Sequence, residues 1–105
     1  MKYTVIWSDF SEKQLDEIFE YYCDEVNKRT AKKIVKQILA EPKILENNPF
    51  LGQIENSLTH RKISYRYLIC NNYKIIYSVD ENESLIKIAD VFNTLQDPIK
   101  INRNE

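Results

Sequence analysis

Residues 63–79 read ISYRYLICNNYKIIYSV. On each side of the central Asn71-Asn72 pair, apolar or aromatic side chains occupy every second position, which is the period-two pattern of a half-buried strand. Asparagine tolerates a positive backbone φ, so the pair suits a two-residue turn. The stretch therefore predicts a β-hairpin with strands over residues 63–70 and 73–79.

Two further strands are predicted on either side of this hairpin. A turn over residues 80–83 precedes an alternating run that ends at Pro98, which cannot donate a backbone hydrogen bond. One face of that run is expected to carry Ile86, Ile88, Asp90 and Phe92. Residues 3–8 alternate in the same way, with Trp7 expected in the core where this first strand meets the helices.

Two amphipathic helices are predicted between the first strand and the hairpin. Ser11 and Gln14 fit a capping box that would begin the first helix, whose apolar stripe runs from Leu15 to Val26. After a turn near residues 27–30, a second helix starts with a basic segment and should kink or end near Glu41, because Pro42 removes a helical N–H. Short connections favour an antiparallel helix hairpin.

The element order gives an α+β fold of the type βααβββ. The helix hairpin is expected to pack on one face of a four-stranded, mainly antiparallel sheet. Residues 1–98 are expected to form a single domain, followed by a C-terminal tail over residues 99–105, and residues 50–60 a polar connection. A chain of 105 residues is consistent with one domain.

Composition excludes several classes of protein. A single glycine cannot form a Gly-rich phosphate-binding loop. No apolar run approaches the roughly 20 residues of a membrane span, and the N-terminus lacks the apolar stretch of a signal peptide, so a cytoplasmic protein without a membrane partner is expected. Cys23 and Cys70 are expected to be small core residues. With a lone histidine, His60, expected in an exposed loop, no metal site and no cofactor are predicted.

Charge is unevenly distributed along the chain. The total net charge is only −1, but residues 9–25 contain seven acids and one base. Residues 47–79 contain a single acid, Glu55, together with four bases. These bases are Arg61, Lys62, Arg66 and Lys74. A cationic surface is therefore expected around the predicted hairpin.

Three motifs, in the order given by the predicted elements, resemble those of a known family. Residues 45–52, LENNPFLG, are similar to its L-x-x-x-P-x-x-G helix end and loop. Residues 66–77, RYLICNNYKIIY, are similar to its R-x-L-x(4)-Y-[RK]-[IV]-x-Y hairpin, and residues 88–98, IADVFNTLQDP, resemble its final strand and turn. The chain thus resembles, over nearly its whole length, the RelE/ParE superfamily of bacterial toxins from type II toxin–antitoxin systems (plasmid stabilisation proteins).

This resemblance implies a toxin neutralised by a cognate antitoxin, with a toxin–antitoxin hetero-oligomer as the resting form. Members of the superfamily act in two ways. ParE-type toxins act on DNA gyrase, and RelE-type toxins cleave mRNA on the ribosome. Because the fold is shared, the fold cannot choose between these targets.

The residues favour a ParE-type growth inhibitor over an enzyme. Metal-independent RNA cleavage needs a base, an acid and a cation. Where ribonuclease members commonly carry His and Arg after the last strand, this sequence has Asn93 and Leu95. A pI near 5.9 also disfavours ribosome binding. The alternatives left open are a RelE-type endoribonuclease and an attenuated toxin that acts only as an antitoxin-binding module.

The candidate site residues lie around the hairpin. Target or phosphate binding is assigned to Arg61, Lys62, Arg66, Lys74 and Tyr65. Catalytic residues stay unknown, with Arg66, Arg61 and Tyr73 as candidates without assigned roles. The simpler alternatives are a surface ion pair of Arg66 with Glu55 or Asp90, and core or half-buried sheet positions for Tyr67 and Tyr77. An acidic antitoxin segment is expected to cross the region from Arg61 to Lys74.

Overall fold

A computed structural model describes residues 2–55 and 63–95 of the chain. The first strand, β1 (Thr4–Trp7), leads into helices α1 (Asp9–Glu25) and α2 (Lys28–Ala40), and α2 continues as a 3₁₀ helix over Glu41–Glu46. The remaining strands are β2 (Gln53–Ile54), β3 (Arg66–Cys70), β4 (Tyr73–Asp80) and β5 (Leu85–Asn93). The order βααβββ is confirmed, with β2 as an addition. The predicted tail over residues 99–105 lies outside the described residues.

The sheet has five strands in the order β1-β5-β4-β3-β2, instead of the four predicted. Strand β1 runs parallel to β5, and the other neighbours are antiparallel. The predicted hairpin forms, and Asn71 adopts the positive φ of 56° that its turn requires. Sequence analysis missed β2 because two residues cannot display a period-two pattern.

Both helices begin at side-chain caps. Ser8, and not the predicted Ser11, caps α1, because the chain turns into the helix directly after β1 and the Ser8 hydroxyl accepts a hydrogen bond from the Ser11 amide. Asn27 caps α2 in the same way through the Thr30 amide. The break predicted at Pro42 is present as the change from α-helix to 3₁₀ helix.

The main core lies between the helix hairpin and one face of the sheet. Leu15 and Ile38 from the helices pack there against Ile75, Tyr77 and Ile88 from the sheet. Trp7 is partly buried against this cluster, and Cys70 is part of it, whereas Cys23 is half-buried. Within the described residues, no helix is long and apolar enough to span a bilayer.

The opposite sheet face, called the open face here, carries a smaller apolar cluster. Ile76 and Phe92 are buried there, with Tyr65, Tyr67 and Ala89 packed against them. The register shifts between Ile76 and Tyr77 of β4, which pair with Asp90 and Ile88 of β5, so Ala89 is the extra residue of a β-bulge. This bulge reverses the alternation of β5, so Val91 reaches the core with Ile86 and Ile88. Asp90 and Phe92 lie on the open face, and the prediction that they share a face with Ile86 and Ile88 was wrong.

Candidate functional site

Arg66 holds a loop in place from the helix-covered face of the sheet. It pairs with Tyr77 across β3 and β4, so the two side chains share that face. Its guanidinium donates hydrogen bonds to the carbonyl oxygens of Gly52, at 2.8 Å, and Phe50, at 3.2 Å, and it lies 5.2 Å from the centre of the Phe50 ring. The predicted ion pair with Glu55 or Asp90 was wrong, because the guanidinium is directed at backbone carbonyls instead.

The hydroxyl of Tyr77 holds the same loop from inside the core. The Gly52 amide donates to this hydroxyl at 2.8 Å, and the hydroxyl donates to the Pro49 carbonyl at 3.0 Å. Burial raises the pKa of Tyr77, although the Gly52 hydrogen bond and the Arg66 charge oppose this effect. The core position predicted for Tyr77 is confirmed, and the structure adds a hydrogen-bonding role for its hydroxyl.

Gly52 is required by this close approach and not by its backbone angles. A Cβ atom at this position would lie 2.5 Å from the Tyr77 hydroxyl and 2.7 Å from the Tyr67 carbonyl oxygen. Pro49, Gly52 and Tyr77, which all belong to the sequence motifs quoted above, therefore meet at one point, where Arg66 joins them. We call residues 49–52 the anchored loop.

The anchored loop and the strand after it present apolar side chains to solvent. Phe50, Leu51 and Ile54 are each about half exposed, at 48, 53 and 50%. Because Arg66 and Tyr77 hold the backbone of residues 49–52, this backbone loses little conformational freedom when a partner binds. Preorganised apolar and aromatic groups of this kind are typical of protein–protein contacts.

Lys74 lies on the open face, where a carboxylate neutralises it. Its ammonium group is 2.5 Å from Oε1 of Glu55 and lies over the Tyr67 ring, 4.2 Å from the ring centre. Glu55 is only 5% exposed. The Tyr67 hydroxyl donates to Oε1 of Gln53 on β2, at 2.9 Å, which ties the ring to the neighbouring strand. The result is a largely buried ion pair covered by an aromatic ring.

The structure separates the residues that were predicted to form one surface. Arg66 and Lys74 lie on opposite faces of the sheet, since β3 pairs Arg66 with Tyr77 but Ile69 with Lys74. Tyr65 packs on the open face, near Lys74. Arg61, Lys62 and His60 lie outside the described residues. A single cationic surface that contains both Arg66 and Lys74 is therefore not formed.

Tyr73 is a core residue in this structure. Its side chain is 6% exposed, and its hydroxyl donates to the Tyr22 hydroxyl at 3.3 Å. Burial is the largest cause that raises the pKa of Tyr73, and the hydrogen bond to Tyr22 acts in the same direction. A buried phenol with a raised pKa is poorly suited to act as a general base near neutral pH.

The end of β5 is fixed by neutral side chains. Oδ1 of Asn93 accepts a hydrogen bond from the Leu95 amide at 2.8 Å. Both the amide and the hydroxyl of Thr94 donate to the Asn72 carbonyl, which attaches this segment to the hairpin turn. In residues 2–55 and 63–95, no group of three or more His, Cys, Asp or Glu side chains could hold a metal ion.

Glu55 is the site residue that sequence analysis assigned least accurately. It was placed in a polar connection, and the structure puts its carboxylate against Lys74 on the open face. One clue was available: Glu55 is the only acid in the basic stretch of residues 47–79. Its position beside β3 could not be derived, because β2 has no recognisable pattern.

The fold is similar to those of several solved toxin–antitoxin structures. It matches the chromosomal ParDE system from P. aeruginosa with a TM-score of 0.72 and 18% identity, over 88% of this chain and 96% of that one. The archaeal RelE–RelB complex from Pyrococcus horikoshii OT3 gives 0.59 and 18%, over 92% and 100% of the chains. The RelBE2 complex from Mycobacterium tuberculosis gives 0.55 and 16%, over 89% and 99%. At these identities the similarity shows the fold alone.

The sequence itself matches a family model. No curated protein matches the chain significantly. The model of the ParE toxin of the type II toxin-antitoxin system, parDE, matches residues 5–98. This range covers every described helix and strand except the first residue of β1, Thr4. The chain therefore belongs to the ParE toxin family of type II toxin–antitoxin systems.

Proposed function

We propose that this toxin is a ParE-type growth inhibitor that acts on DNA gyrase and is neutralised by a cognate antitoxin in a hetero-oligomer. The observation that carries the proposal is what Arg66 and Lys74 bind, since these are the two candidate cations within the described residues. Arg66 is bound to the carbonyls of the anchored loop, and Lys74 is paired with the buried Glu55. Neither is presented as a phosphate ligand, which favours a binding surface over a nuclease centre.

The anchored loop supplies a surface of the kind that a protein target needs. Its apolar side chains are exposed and its backbone is held by Arg66 and Tyr77. A contact with gyrase through these residues requires no catalytic group. The RelE-type alternative requires an acid–base pair, for which the described candidate Tyr73 is buried.

A supercoiling reaction tests the target directly. Purified toxin is added to DNA gyrase with relaxed plasmid and ATP, and the topoisomers are separated on a gel. We expect loss of supercoiling that depends on toxin concentration and is restored by the antitoxin. Intact supercoiling together with codon-linked cuts in primer extension of translated mRNA would instead support the RelE-type alternative.

The antitoxin part of the proposal has its own test. The acidic reading frame nearest to the toxin gene is co-expressed with the toxin, and growth and co-purification are followed. We expect growth to recover and the two chains to purify together. Normal growth after induction of the toxin alone would instead support the attenuated, purely antitoxin-binding form.

A further inference from the structure

Helix α2 carries a concentration of positive charge that the proposed function does not use. Every charged residue of α2 is basic. Its apolar stripe, which includes Ala31 and Ile38, is buried in the core. The charged side chains therefore lie on the side of the helix that faces solvent. They are Lys28, Arg29, Lys32, Lys33 and Lys36.

Four of these cations form a compact group that we call the basic ridge: Arg29, Lys32, Lys33 and Lys36. Arg29 lies three and four positions before Lys32 and Lys33, and Lys36 lies four and three positions after them. Side chains at these spacings are neighbours on a helix surface, with Cβ atoms about 5–6 Å apart. The ion pairs between described residues use Lys2, Lys74 and Lys87 instead. Within residues 2–55 and 63–95, the basic ridge thus has no carboxylate at ion-pair distance.

Amide side chains continue the basic ridge towards the β3–β4 turn. Nδ2 of Asn71 donates to Oε1 of Gln37 at 3.0 Å, which holds the turn against α2. A cleft of about 360 Å³ lies at this junction, and Lys33, Thr30 and Asn72 are among the residues that line it. Hydroxyl and amide side chains beside Lys and Arg are common partners of phosphate and sugar oxygens in DNA complexes.

We propose that the basic ridge and the adjoining amides bind the phosphate backbone of duplex DNA. The charge of α2 complements a polyanion, and the strongly acidic α1 beside it leaves α2 as the side that DNA can approach. Lysine is depleted in the cores of protein interfaces, which disfavours a protein partner at the ridge. A membrane-binding helix needs an outward apolar face, whereas the apolar stripe of α2 is buried.

This binding is independent of gyrase and can be measured without it. A fluorescein-labelled 24-base-pair duplex is titrated with the toxin by fluorescence anisotropy at several salt concentrations between 50 and 200 mM. The variant Lys33→Gln/Lys36→Gln removes two ridge charges. Lys2→Gln/Lys13→Gln removes the same charge from exposed positions outside α2 and serves as the charge control, with Lys2 3.5 Å from Glu46.

We expect the ridge variant to weaken binding at least about tenfold at low salt. The plot of log association constant against log salt concentration should become less steep by about 1.8, which is about 0.9 for each lost phosphate contact. The control should stay within twofold of the wild type. The proposal is overturned if the wild type does not bind the duplex at 50 mM salt, or if both variants weaken binding equally. Binding to anionic phospholipid vesicles with higher apparent affinity than to the duplex would also overturn it. Thermal unfolding of each variant verifies that the fold is retained.

Discussion

The hydroxyl of Tyr77 lies 2.8 Å from the backbone nitrogen of Gly52, a residue 25 positions earlier in the chain. The same hydroxyl donates to the Pro49 carbonyl, so one buried oxygen satisfies both ends of the anchored loop. Tyr77→Phe should lower the free energy of unfolding by about 1–3 kcal/mol, because the buried Gly52 N–H loses its acceptor. Urea denaturation measures this change.

Tyr67→Phe is the matched control for this substitution. The Tyr67 hydroxyl donates a hydrogen bond to Gln53 in an exposed position, so removing this hydroxyl should lower the free energy of unfolding by less than about 0.5 kcal/mol. Equal costs for the two variants would show that the Tyr77 hydroxyl does not hold the loop.

Gly52→Ala tests the close approach itself. The added Cβ would meet the Tyr77 hydroxyl at 2.5 Å and the Tyr67 carbonyl at 2.7 Å, so the loop or the ring must move. We expect a loss of about 1–3 kcal/mol in the free energy of unfolding.

A double-mutant cycle identifies the neighbour responsible. In the Tyr77→Phe background, Gly52→Ala should cost about 1 kcal/mol less, because the nearest oxygen is gone. The rescue should be incomplete, since the Tyr67 carbonyl and the Tyr77 ring remain close. Strictly additive costs would contradict the contact.

The motif positions were visible in the sequence, but their convergence was not. The L-x-x-x-P-x-x-G segment and the hairpin motif were recognised as separate patterns in the chain. Arg66 was expected to bind a target or to pair with an acid, because a strand position says nothing about which distant carbonyls a guanidinium can reach. The loop conformation that places the Gly52 carbonyl beside Arg66 depends on tertiary packing.

Strand faces were predictable only as far as the alternation is regular. In β4 the period of two placed Ile75 and Tyr77 together, as observed. In β5 the bulge at Ala89 shifts the period by one residue, and both Asp90 and Val91 change faces relative to the simple pattern. A bulge arises from pairing with the neighbouring strand, so a single strand's sequence does not reveal it.

Lys74→Met tests whether the ion pair on the open face is structural. The substitution removes the cation beside the buried Glu55 carboxylate, and we expect a loss of about 2 kcal/mol in the free energy of unfolding. Adding Glu55→Gln should restore at least half of that loss, because the carboxylate charge is then absent.

Lys87→Met provides the comparison for an exposed pair. Lys87 lies 3.1 Å from Asp80, but its side chain is 49% exposed, so its loss should cost less than about 0.5 kcal/mol. If Lys74→Met were equally mild, Lys74 would be free to bind a target, and the main argument against phosphate binding would fail.

Asp80 should make folding stability depend on pH in the acid range. The hydrogen bond from the Glu83 amide, followed by the interaction with Lys87, lowers the pKa of Asp80 below its ordinary value of 3.8. The folded state then binds fewer protons than the unfolded state, so the stabilisation is present above pH 3.8 and is lost as the pH falls through the folded-state pKa. Asp80→Asn should therefore destabilise the protein at pH 6 more than at pH 2.5, as measured by urea denaturation at both values. A constant difference between wild type and variant would contradict the linkage.

Leu51→Ser separates the proposed target contact from folding. Leu51 is 53% exposed on the anchored loop, so the substitution should change the free energy of unfolding by less than about 0.5 kcal/mol. If this loop contacts gyrase, truncating one of its exposed apolar side chains should raise the toxin concentration needed for half-inhibition of supercoiling at least about tenfold. Val26→Ser is the control, because Val26 is 56% exposed but lies between α1 and α2, in a different part of the fold. Equal inhibition by both variants and the wild type would remove the anchored loop from the contact while leaving gyrase as a possible target through another surface.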